Sequence, residues 1–350
     1  MNQHAKPLAT AASAIALLTT AIFPFPASAG DFYKGKQLEL SAGSKAGGGY
    51  DAYARLLGRH IASHIPGKPT IIVRNMPGAG GMTQANYLYN TAPRDGLAFG
   101  ILQNTLPINQ LAKSEAVKFD MRKFSWVGNM NVMTTICVFN RDTKLKSAKD
   151  MQTRKILVGA ATNTSTSMIP QILNSLVGTQ FEIVRGYTGT NAIVLAMERK
   201  EVSGLCGWGW DSAQVQAHDA IEKGDLTVGI DIANERHPDL QKRGVPFVLD
   251  MLPDGENKRV LKLVLSTQYY GRPFAAPPEV PQDRLALLRD GFAETMKDPK
   301  FLVEAKKMNM EVRYLSPDQI VKAIKAMYEE PKKIQDRALD ELRKAGWSGL

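Results

Sequence analysis

Apolar positions fall into short runs that alternate with longer stretches of helical spacing. Gln37 to Ala42 reads as a strand, followed by a glycine-rich loop over Gly43 to Tyr50. Asp51 to Ile65 reads as a helix with Asp51 as its N-cap. Tyr53, Leu57, Ile61 and Ile65 share one face, and Pro66 and Gly67 end it. Thr70 to Arg74 is a β-branched strand, and Pro77 to Gly81 is a second glycine loop ahead of a helix that runs to about Asn90. Ala98 to Leu102 is a third strand and ends in Gln103 and Asn104. Thr134 to Phe139 is strand-like and strongly apolar. The scheme then repeats: Ile156 to Ala160 (strand), Thr162 to Ser167 (polar loop), Met168 to Val177 (helix), Phe181 to Val184 (strand), Asn191 to Arg199 (helix). Val202 to Cys206 (strand), a helix to about Lys223, and Leu226 to Ile230 (strand) complete it. The remainder is mainly helical, over Pro281 to Met296, Ser316 to Tyr328 and Pro331 to Ala345. Ser316 with Gln319 forms a capping box, with Pro317 at the first helical position.

Strands alternating with helices predict an α/β chain with doubly wound, mainly parallel sheets. The pattern occurs twice, before and after about residue 140, and no Pro/Ser-rich linker divides the halves. Two lobes are expected, with the chain crossing between them through strands. In such sheets ligands sit beyond the carboxyl ends of the strands, at helix N-termini. The Gly-, Ser-, Thr- and Asn-rich loops of this chain fall at those ends.

The N-terminal segment changes the picture of where the protein works. Lys6 precedes an uncharged run from Pro7 to Phe25, which closes on Ala27, Ser28 and Ala29. This reads as a secretory signal peptide over residues 1–29, with the mature chain starting near Gly30. The apolar core is shorter than the ~20 residues of a spanning helix. Removing those 29 positions from the 350-residue chain leaves enough for two domains of roughly 150 residues each. The formal net charge is +10, but Lys and Arg are spread along the sequence rather than gathered into a basic helix or patch. Nucleic-acid binding is therefore not expected. Cys137 and Cys206 both sit in strand-like runs; export permits a disulfide, and two buried thiols remain the alternative.

No catalytic set is expected from the motifs. There is no Gly-x-Ser-x-Gly elbow and no HExxH. His60 and His64 are one helical turn apart, yet no third ligand has a diagnostic spacing, so no metal and no cofactor are expected. Gly47, Gly48 and Gly49 ahead of a helix can bring amides to an anion, although glycines there also simply permit a tight turn. Asp211, beside Trp208 and Trp210, suits three roles: a base, a helix cap, or an acceptor for a ligand donor.

Three ordered motifs carry a family resemblance. Ala46, Gly47, Gly48, Gly49, Tyr50 and Asp51, followed by Ala54 and Arg55, resemble the Gly-Gly-Gly-Thr-Asp…Ala-Arg signature of the Bug family. These TctC-like proteins are the extracytoplasmic solute receptors of tripartite tricarboxylate transporters. Val73 to Gly81 resembles the family's Val-Glu-Asn-Arg-Pro-Gly-Ala-Gly-Gly segment, and Ala92 to Gly96 its Ala-Pro-Asp-Gly with one insertion. Pro277 to Pro281 resembles its stretch after the return to the first lobe. The resemblance implies a two-lobed periplasmic-binding-protein (Venus-flytrap) fold, with lobe 1 over residues 30–138 plus 253–350 and lobe 2 over 139–252. It implies a monomer that binds a small carboxylate and delivers it to a large and a small integral-membrane subunit. Carried over residue by residue, the first-lobe contacts are Ser44, Ala46, Gly47, Gly48, Gln103 and Asn104. The second-lobe contacts are Asn163, Thr164, Ser165, Thr166, Tyr187, Gly189 and Asp211. The chain departs from the pattern at Gly43 and Ser44 (usually Pro-Phe) and at Tyr50 (usually Thr). Two other readings compete: an exported α/β enzyme using Asp211 with Tyr187 or Ser165, and a ligand-sensing adaptor.

Overall fold

The computed structural model describes Met1, residues 32–161 and residues 164–347. The expected signal peptide and Asn163 lie outside the described residues. Among those described, no helix is long and apolar enough to cross a membrane.

Among the described residues, ten strands form two mixed sheets of five. Strands β1 (Gln37–Ala42), β2 (Thr70–Asn75), β3 (Ala98–Ile101) and β4 (Ser125–Asn129) belong to the first sheet. Strands β5 (Thr135–Asn140), β6 (Ile156–Ala161), β7 (Phe181–Tyr187), β8 (Gly204–Gly209) and β9 (Leu226–Ile232) form the second, and β10 (Pro273–Ala276) returns to the first. The orders are β2-β1-β3-β10-β4 and β7-β6-β8-β5-β9. One strand in each sheet runs against the others: β10 lies antiparallel between β3 and β4, and β5 antiparallel between β8 and β9. Each reversed strand is the one that arrives from the opposite sheet. It starts at the edge where its neighbours end, so it has to run the other way.

Burial follows from this layering. The central strands β3 and β10 are buried at every position, as expected where helices cover both faces. The edge strand β2 alternates exposed and half-buried positions. Leu40, Phe99, Phe274 and Phe292 anchor the core of the first sheet; Phe139, Val158, Leu173 and Ile230 anchor that of the second. Helix Glu256–Tyr269 and helix Lys332–Lys344 contribute Val260, Leu261, Ile334 and Leu342 to the second core, although the expected division puts both with lobe 1. The expected division after residue 138 also falls inside β5, which pairs entirely in the second sheet. Cys137 and Cys206, opposite each other on β5 and β8, are joined in a disulfide.

Several local readings are modified by neighbours. The first helix begins at Gly49 with Gly48 as its N-cap, so Asp51 lies inside the first turn, and the helix tightens to 3-10 geometry from Ile61. His60 and His64 pair with Glu304 (2.6 Å) on the helix Pro299–Lys307 and with its N-cap Asp298 (3.0 Å), clamping the two helices together. The Ser316 capping box forms in both directions.

Candidate functional site

The space between the sheets is bounded by the two crossovers. Residues 130–134 carry the chain from β4 to β5, and residues 270–272 bring it back into β10. The crossovers are bonded side by side: Met130 N–H donates to the Arg272 carbonyl (3.0 Å) and Met133 N–H to the Gln268 carbonyl (2.9 Å). The loops after β1 and β3 face this seam from one sheet, and those after β6, β7 and β8 from the other.

The first loop is held by Asp51. Its carboxylate accepts from Gly47 N–H (2.8 Å), from Arg55 Nε (2.9 Å) and from Asn75 Nδ2 (2.9 Å). Burial works to raise this carboxyl, but the bonds from Arg55, Gly47 and Asn75 outweigh it and hold the group below the usual carboxylate range. Gly48 N–H turns back to the Lys45 carbonyl (3.3 Å). The amides of Gly47 and Gly48, expected to meet an anion, are thus engaged within the loop. The first intrahelical bond runs from Ala52 N–H to the Gly48 carbonyl (2.9 Å). The amides of Gly49, Tyr50 and Asp51 lie ahead of it at the positive end of the helix.

Asp51→Asn is expected to cost about 2 kcal/mol of stability at pH 6, the order for weakening a buried charge-assisted set. The folded carboxyl titrates below its unfolded value of about 3.9. Its contribution is therefore complete above that value and is lost as the pH falls through the folded one. Urea unfolding of both forms at pH 6 and pH 3 should show the gap closing at the lower pH. A gap independent of pH contradicts the assignment.

Arg272 was not singled out by sequence reading, and it is the most distinctive charge at the seam. Its guanidinium carbon lies 4.4 Å from the centre of the Tyr50 ring and 5.0 Å from that of Tyr53. Nη1 donates to the Gly271 carbonyl (2.9 Å) and reaches Met133 Sδ (3.4 Å), while Nε is buried with no partner. Nη2 faces Gly49, where a Cβ would stand 3.4 Å away. A planar donor fork over two aromatic rings beside a helix N-terminus has the chemistry to receive a carboxylate.

Most of the other expected contacts brace this centre. Tyr50 Oη and Asn104 Oδ1 are 2.9 Å apart, and Asn104 N–H donates to the same hydroxyl (3.1 Å). Asn104 Nδ2 donates to the Thr267 carbonyl (2.8 Å), so the Asn104 side chain is fully engaged. Gln103 reaches the Gly43 carbonyl (3.4 Å) and packs where Gly81, at φ +92°, leaves no room for a Cβ. Ser44 Oγ is buried without a partner, and Ala46 is exposed.

Across the seam, Thr164 caps the helix Ser165–Val177 and shares a hydrogen bond with Thr166 Oγ1 (2.7 Å). Ser165 Oγ, a candidate hydroxyl of the enzyme reading, donates to the Gly207 carbonyl (2.7 Å). Gly189 precedes the helix Thr190–Glu198, and the half-buried Tyr187 hydroxyl has no hydrogen-bond partner among the described residues. Asp211 lies in the first turn of the helix Trp210–Gln216 rather than at its cap. Its Oδ1 accepts from Ser212 N–H (2.7 Å). Asp211 borders a depression of about 360 Å³ shared with Trp210, His237 and Glu311. Trp208 and Trp210 are core residues, 1% and 4% exposed, which removes them as ring-stacking partners for a ligand.

No family model matches the chain. A UPF0065 protein in the gbd 5' region of Cupriavidus necator is 31% identical over 150 residues. The match covers 43% of this chain and 44% of that protein, so the chain spans less than half the length of the curated relative it matches. Among solved structures, a TctC solute binding protein from Polaromonas aligns with a TM-score of 0.69 at 16% identity, over 89% of this chain and 99% of that one. The periplasmic binding protein BugD aligns with a TM-score of 0.56 at 18% identity, covering 90% and 99%. MatC from Rhodopseudomonas palustris, solved with bound malate, aligns with a TM-score of 0.54 at 19% identity, covering 87% and 99%. The structural neighbours are thus TctC and Bug binding proteins, and the fold is the two-lobed one of periplasmic binding proteins.

Proposed function

We propose that this chain is a periplasmic solute receptor of the tripartite tricarboxylate type, which captures a small carboxylate between two lobes and delivers it to a membrane transporter. Residues 37–129 with 273–329 form one lobe in this reading, and residues 135–269 with 332–344 the other. The observation that carries the proposal is Arg272. It is a half-buried cation with an unpartnered Nε, held on Tyr50 and Tyr53 at the crossover between the sheets. One carboxylate oxygen meets the guanidinium and the other the amides of Gly49 to Asp51. Tyr187, Gly189 and Asp211 close over the ligand from the second lobe. Several charge-assisted bonds of ~1.5–3 kcal/mol each, offset by desolvation, suffice for micromolar affinity, ~8 kcal/mol.

The large and small integral-membrane subunits follow from the family resemblance. The closed form presents them with a surface that the open form lacks. A thermal-shift screen of mono-, di-, tri- and amino carboxylates tests the reading. A ligand at a hundred times its dissociation constant adds ~2.7 kcal/mol and raises the melting temperature by several degrees. A screen in which no carboxylate shifts the transition rejects it.

A further inference from the structure

We infer that Tyr50 is a positioning residue: its ring holds the Arg272 guanidinium beside the helix N-terminus at Gly49, and so sets carboxylate affinity without touching the ligand. This rests on the carboxylate-receptor reading and names the side chain on which its cation depends. Tyr50 stands where the resembling signature has threonine, which has no ring to offer.

The guanidinium carbon is 4.4 Å from the centre of the Tyr50 ring and 5.0 Å from that of Tyr53. The two tyrosines are three residues apart on one helix, so they share a face. They differ in what else they do. Tyr53 is 3% exposed and belongs to the core of the first sheet, and its hydroxyl donates to the Glu311 carbonyl (3.0 Å). Tyr50 is half-buried at the edge of that core. Its hydroxyl accepts from Asn104 N–H (3.1 Å), and its one proton has two acceptors, Asn104 Oδ1 (2.9 Å) and the Gly271 carbonyl (3.2 Å). The ring is therefore pinned between the loop after β3 and the returning crossover. The Gly271 carbonyl also accepts from Arg272 Nη1 (2.9 Å), so tyrosine and arginine converge on one carbonyl. That carbonyl is itself confined, since the crossovers pack so closely that a Cβ on Gly271 would run into Met133 Cγ.

Nη2 has no hydrogen-bond partner among the described residues and faces Gly49. One bond from Nη1 to a neutral carbonyl leaves a long side chain free to swing toward water. The aromatic face supplies the second constraint and keeps Nη2 beside the amides of Gly49 to Asp51. A donor ordered before the ligand arrives loses less freedom on binding, and that gain appears as affinity.

Titration calorimetry tests this with Tyr50→Thr, Tyr50→Phe, Arg272→Met and the double variant Tyr50→Thr with Arg272→Met. The probe is whichever of succinate, malate, adipate, citrate and benzoate binds the wild type most tightly. We expect Tyr50→Thr to weaken it at least about 10-fold and Tyr50→Phe, which keeps the ring, to stay within about threefold. In the Arg272→Met background Tyr50→Thr should add less than about twofold, because the residue acts through the arginine. An equal loss in both backgrounds marks a merely structural role and overturns the inference, as does a Tyr50→Phe as weak as Tyr50→Thr. If Arg272→Met loses affinity while both Tyr50 variants keep it, only this inference falls. If no probe binds the wild type, or Arg272→Met binds as well as the wild type, the arginine site falls and the inference with it. Should Tyr50→Thr not fold, Tyr50→Leu, which keeps apolar volume without an aromatic face, takes its place with the same expected loss.

Discussion

Arg272→Met is expected to weaken carboxylate binding at least about 100-fold, ~2.7 kcal/mol, without lowering the melting temperature of the ligand-free protein. Methionine keeps an unbranched apolar stem against Tyr50 and Tyr53, so the packing of those rings persists. What disappears is the donor fork. Two charge-assisted bonds contribute ~1.5–3 kcal/mol each, and their cost is already met in the free protein because Nε is buried before any ligand arrives. The same fact bounds the stability effect. A half-buried guanidinium whose Nε lacks a partner gives the empty fold little net stability, so its removal should be close to neutral. Tight binding and a small stability penalty are thus two consequences of one arrangement. Calorimetry together with thermal denaturation of the variant separates them. Affinity within about threefold of wild type removes Arg272 from the site, and a large drop in melting temperature with intact binding makes it a structural residue.

The second large effect concerns the disulfide. Cys137 and Cys206 are fully buried and 69 residues apart in sequence. Closing a loop of that length restricts the unfolded chain by about 4 kcal/mol in the chain-entropy model, and measured values run to about 2–4. The double Cys→Ala variant should therefore unfold at distinctly lower denaturant. The loss falls on the second lobe, where the bond ties the reversed strand β5 to β8. Because both sulfurs are inaccessible, a mild reductant should leave the native protein oxidised and act only once it unfolds. Coincident denaturation curves for wild type and variant would show that the bond adds nothing. Sequence left this pairing undecided, since two cysteines in separate strand-like runs do not reveal their register. Pairing of β5 with β8 is what sets them opposite each other.

The same limit explains what else was and was not legible. Strand–helix alternation, the glycine loops and the Ser316 cap are local signals, and they placed β1, β2, β3 and the repeat that forms the second sheet. β10 is four residues long and opens with Pro273, too short for a periodicity to mark it; pairing with β3 and β4 makes it a strand. β4 is only five residues long. Arg272 carries no motif of its own among 44 lysines and arginines, and its role arises only because the returning chain sets it on Tyr50 and Tyr53. The triple glycine marks a helix N-terminus that the structure sets beside Arg272. Asp51, however, claims the amide of Gly47, and Gly48 turns inward, so in the proposed reading the anion meets the following turn. The polar residues Gln103, Asn104, Thr164 and Thr166 were legible as loop residues at strand ends, but their bonds run to neighbouring backbone and side chains.

Closure of two lobes on a carboxylate is the central claim, and small-angle scattering tests it most directly. The wild type is measured with and without a carboxylate at a concentration that calorimetry shows to be saturating, beside Arg272→Met under the same conditions. Rigid-body closure predicts a smaller radius of gyration for the liganded wild type and no change for the variant. Superimposable curves for the wild type, with the ligand demonstrably bound, would contradict it.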